Sequence, residues 1–82
     1  MRDTGPLHRD EAAPYRIRLQ GSLDASWSAM LQGMSVAAEP HASGAPVTIL
    51  QGEVIDQAAL LGILNLVYDL GLPLLSVQCL AH

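Results

Sequence analysis

The chain has 82 residues, half of them apolar, 15% charged, a net charge of −4 and a mean hydropathy of +0.28. That is length for one small domain, and too apolar and too sparsely charged for a disordered chain. Four arginines against eight acids, with no lysine, exclude the clustered positive charge a nucleic-acid binder needs to displace counterions. A single cysteine excludes both an internal disulfide and a cysteine-based zinc site, and gives no reason to expect an oxidising compartment.

Residues 1–13 hold half of the arginines, three acids and Gly5-Pro6 without an apolar period, and are expected to form a disordered tail before one α+β domain over 14–82. No apolar core follows Met1-Arg2, so no secretory signal is expected and the location is expected to be cytoplasmic. Residues 58–80 are apolar for long enough to span a bilayer. Asn65, Asp69, Gly71, Pro73 and Gln78 interrupt them, so two elements joined by a turn are expected and no membrane association.

Tyr15, Ile17 and Leu19 alternate with Arg16, Arg18 and Gln20, which predicts a first strand with one buried face. Asp24 or Ser22 is expected to cap a short helix that buries Trp27, Met30 and Leu31, with Gly33 stopping it in the left-handed conformation. Residues 34–39 predict a short second strand with Met34, Val36 and Ala38 inward. After a turn-rich link, residues 47–54 predict a third strand, paired with the second as an antiparallel hairpin. Gly52 within it predicts a bulge or a close backbone approach.

Asp56 is the clearest cap, opening a helix to about Leu70 with Leu60, Ile63, Leu64 and Val67 buried; Gly71 ends it and Pro73 forbids its return. Residues 74–80 predict the last strand. The order strand, helix, strand, strand, helix, strand is the ferredoxin-like β-α-β-β-α-β arrangement, a four-stranded antiparallel sheet with both helices on one face.

Apolar side chains outnumber what one such core can bury. Arg16, Arg18, Leu61, Tyr68, Leu74 and Leu80 are expected at an interface between identical chains, the arginines through ion pairs. No catalytic constellation emerges. His8, His41 and His82 lie in a tail, a turn and at the last position, which predicts no metal site and no cofactor. Cys79 reads as a small buried apolar residue, and Ser22, Ser26 and Ser28 as capping groups rather than nucleophiles. Glu53 and Asp56 are spaced for acid–base work only if a cleft holds them, and capping explains Asp56 better. Tyr15 is the only aromatic residue in the expected central strands, so base stacking of the RNA-binding kind is not expected. Gly21, Ser22 and Asp24 form a glycine-bearing turn at a helix start, where backbone N–H groups could hold a small ligand.

Two stretches, LQGSLDASW at 19–27 and LQGEVIDQAALLGILNLVYDLGLPLLSV at 50–77, resemble a group of short uncharacterised bacterial proteins. The resemblance is carried by Gly21, Leu23, Asp24 and Trp27, then by Gly52, Asp56, Gln57, Ala58, Ala59, Leu60 and Gly62, and last by Gly71, Leu72 and Ser76. It implies a shared fold and no assigned activity. The expected function is a non-enzymatic, self-associating interaction or regulatory module, most simply a homodimer that docks another protein. The alternative is a small-molecule-sensing regulatory domain with its ligand near 21–24.

Overall fold

A computed structural model describes residues 12–40 and 44–81. The expected tail at 1–13 lies outside them up to residue 11, while Ala13 is already the first residue of a strand and is buried. The elements in chain order are β1 (Ala13–Gln20), a 3₁₀ helix (Ala25–Leu31), β2 (Ser35–Ala38), β3 (Val47–Val54), α1 (Gln57–Asp69) and β4 (Leu74–Cys79). The four strands form one antiparallel sheet in the order β2-β3-β1-β4.

The period-two pattern of β1 sorts the sheet into two faces. Ala13, Tyr15, Ile17 and Leu19 lie opposite Val54, Gly52, Leu50 and Thr48 of β3. Residues directly opposite in an antiparallel pair share a face, so these eight point together. Ile17, Leu19, Leu50 and Val54 join Leu31, Met34, Ile63 and Val67 in the core, which places both helical segments on that face. Burying a side chain of this size removes about 1.5–3 kcal/mol of exposure cost.

Asp56 caps α1 as its sequence position predicts. Its Oδ1 accepts the Ala59 N–H at 2.8 Å, satisfying one of the unpaired donors of the first turn. At the other end Gly71 takes φ +77°, its N–H donating to the Tyr68 carbonyl and that of Leu72 to the Val67 carbonyl. This pair of bonds is the Schellman arrangement, and it folds Leu72 back onto the core.

The first helical segment departs from expectation. It is a 3₁₀ helix, and its start is not capped by a side chain: Asp24 occupies the cap position, but its Oδ2 accepts the Ser26 hydroxyl at 2.7 Å instead of a backbone N–H. Ser22 is exposed and caps nothing either. Short polar side chains that bond locally weaken an α-helix. Leu31 is buried, the Ser28 hydroxyl donates to the Met34 carbonyl at 2.7 Å, and Met30, expected inside, is turned to solvent. The segment closes on two left-handed residues, Gln32 (φ +60°) and Gly33 (φ +81°), rather than on Gly33 alone.

Gly52 marks a close approach. A Cβ there would lie 3.2 Å from the Met34 Cα, so the missing side chain lets the strand entering β2 lie against β3. The irregularity of the sheet lies elsewhere. Between the pairs Arg18↔Ser76 and Leu19↔Leu74 the β4 strand carries one extra residue, Leu75, which makes it the bulge.

Candidate functional site

The glycine-bearing turn at 21–24 is built around packing. Gly21 has φ +119°, and a Cβ on it would lie 2.8 Å from Cδ2 of Leu72. Its N–H donates to the Pro46 carbonyl at 2.7 Å, and its carbonyl accepts the hydroxyl of buried Thr48 at 2.7 Å. Both backbone groups of Gly21 are thus committed, and its lack of a side chain is needed to seat Leu72. Asp24 is exposed, and the Ser26 hydroxyl is the main cause holding its carboxyl below the ordinary range. Gly21 and Asp24 are therefore each tied to other groups of the chain, while Ser22 lies exposed between them.

The open face of the sheet carries Arg16 and Arg18. Arg18 donates through Nε and Nη2 to Glu39 Oε1 and Oε2 at 2.7 and 3.1 Å. Since Glu39 follows β2 and β3 lies between it and β1, this two-pronged pair straps β3 from above. It raises the pKa of Arg18 and holds the Glu39 carboxyl below its ordinary range. Arg16 donates to Gln51 Oε1 at 3.1 Å, directly across the β1–β3 ladder. Both arginines thus have partners within their own chain. The sequence offered no pairing signal for Glu39, because the register that brings it to Arg18 depends on how β2 and β3 pair.

Several large apolar side chains of α1 and β4 are open to solvent. Tyr68 is 82% exposed, Leu61 61%, Leu74 49%, Leu75 44% and Val77 39%. Gly62 of α1 faces the Gln32 amide, 3.9 Å from where its Cβ would be. At 100° per residue, Leu61 and Tyr68 lie roughly 140–160° around α1 from buried Ile63, on its outward side. Val77 is opposite buried Ile17 and Leu74 opposite buried Leu19, so both belong to the core face yet remain open to solvent. Of the expected interface residues, Leu61, Tyr68 and Leu74 are exposed. Leu80 is only half-buried, its N–H bonded to the Pro14 carbonyl at 2.8 Å. Sequence reasoning passed over Leu75 and Val77 as interface candidates, because alternation along β4 could not reveal which face α1 leaves bare.

Cys79 is a half-buried free thiol opposite Tyr15. Burial, and secondarily the Cys79 sulfur, raises the Tyr15 pKa. His8, His41 and His82 lie outside the described residues. Among the described residues no three His, Cys, Asp or Glu side chains converge on a common point, and no helix is long and apolar enough to cross a membrane. Glu53 is exposed on the open face, whereas Asp56 is spent on its cap.

No curated protein and no solved structure matches this chain. A family model does, over residues 14–78, from the second residue of β1 to the penultimate residue of β4. The matched region takes in every element just described, and the chain belongs to that family, a domain of unknown function designated DUF8691.

Proposed function

We propose that this domain is a non-enzymatic module that works by self-association, presenting a second copy of itself, and through it another protein, with exposed apolar groups of α1 and β4. The observation that carries the reading is the exposure of Leu61, Tyr68, Leu74, Leu75 and Val77 in so small a domain. At about 25 cal/mol per Å², leaving such groups wet forgoes several kcal/mol that pairing recovers. The sheet order and antiparallel pairing support a ferredoxin-like frame whose first helix is reduced to a 3₁₀ segment. One unpaired cysteine fits a reducing compartment such as the cytoplasm.

Sedimentation velocity of the full chain across the micromolar range tests this reading. A concentration-dependent dimer is expected, and a species that stays monomeric at high micromolar concentration overturns it. The sensing alternative is tested by thermal shift against amino acids and nucleotides. A flat response disfavours it, and a specific rise in melting temperature would favour sensing over self-association.

A further inference from the structure

We draw no further inference here: the strongest candidate, the exposed apolar side chains Leu61 and Tyr68 on the outward side of α1, carries nothing because nothing in the structure shows what covers them.

Discussion

Gly21→Ala separates a packing role for the first turn from a ligand-binding one, and its cost can be worked from the structure. The backbone at Gly21 sits at φ +119°, where an L side chain is strained by about 1–3 kcal/mol. The new Cβ would also lie 2.8 Å from Cδ2 of Leu72, which must leave its preferred rotamer at about 0.5–1.5 kcal/mol. Against this, alanine restricts the unfolded chain and returns about 0.4–1 kcal/mol. The net expected loss is about 2–3 kcal/mol. A domain of this length has roughly 4–12 kcal/mol of stability in total. The lone Trp27 packs against the core and reports unfolding in urea by its fluorescence. The melting temperature is expected to fall by about 10–20 °C. Repeating the substitution in a Leu72→Ala background removes the clash and keeps the backbone strain, so the cost there should be lower by about 1 kcal/mol. A fall of less than about 4 °C, or the same cost in both backgrounds, refutes the reasoning.

Two further outcomes are expected. Asp56→Ala should destabilise by about 1 kcal/mol in urea titration, while Asp56→Asn, which can still accept the Ala59 N–H, should cost only a fraction of that. Stability should fall in acid, because the folded-state pKa values of Glu39 and Asp24 lie below their unfolded values. Their contribution is complete above the ordinary carboxylate range and is lost as pH drops below about 4 through the lowered values. Glu39→Gln should flatten that acid limb, and a thermal-stability profile that is unchanged by this variant contradicts the Arg18 strap.

The parts of the molecule that local rules control were legible from the residues. The third strand runs over Val47–Val54 as expected, Asp56 caps α1 and Gly71 ends it, because alternation, a side-chain acceptor and a left-handed glycine act within a few residues. The inward set of β1 was legible for the same reason, with Ile17 and Leu19 fully buried. The 3₁₀ segment was harder to read. Trp27, Met30 and Leu31 satisfy an α-helical face, but Asp24, Ser26 and Ser28 carry side chains that bond locally, the segment winds as a 3₁₀ helix, and Met30 lies in solvent.

What the chain cannot state in its own order is which elements meet. Alternation assigned Arg16 and Arg18 to one face, but only the β1–β3–β2 register places Gln51 and Glu39 within their reach. Gly21 reads in sequence as a turn residue open to a ligand. The fold brings Leu72, Pro46 and Thr48 to it from distant positions and fills the space. In β4 both side-chain sets contain large apolar groups, so the sequence leaves the strand undecided between two faces; the packing of the core decides it, covering Ile17 and leaving Val77 opposite it open to solvent. Local propensity depends on neighbours a few residues away and is written in the chain. Exposure depends on where a helix comes to rest, and that is settled only when all four strands are paired.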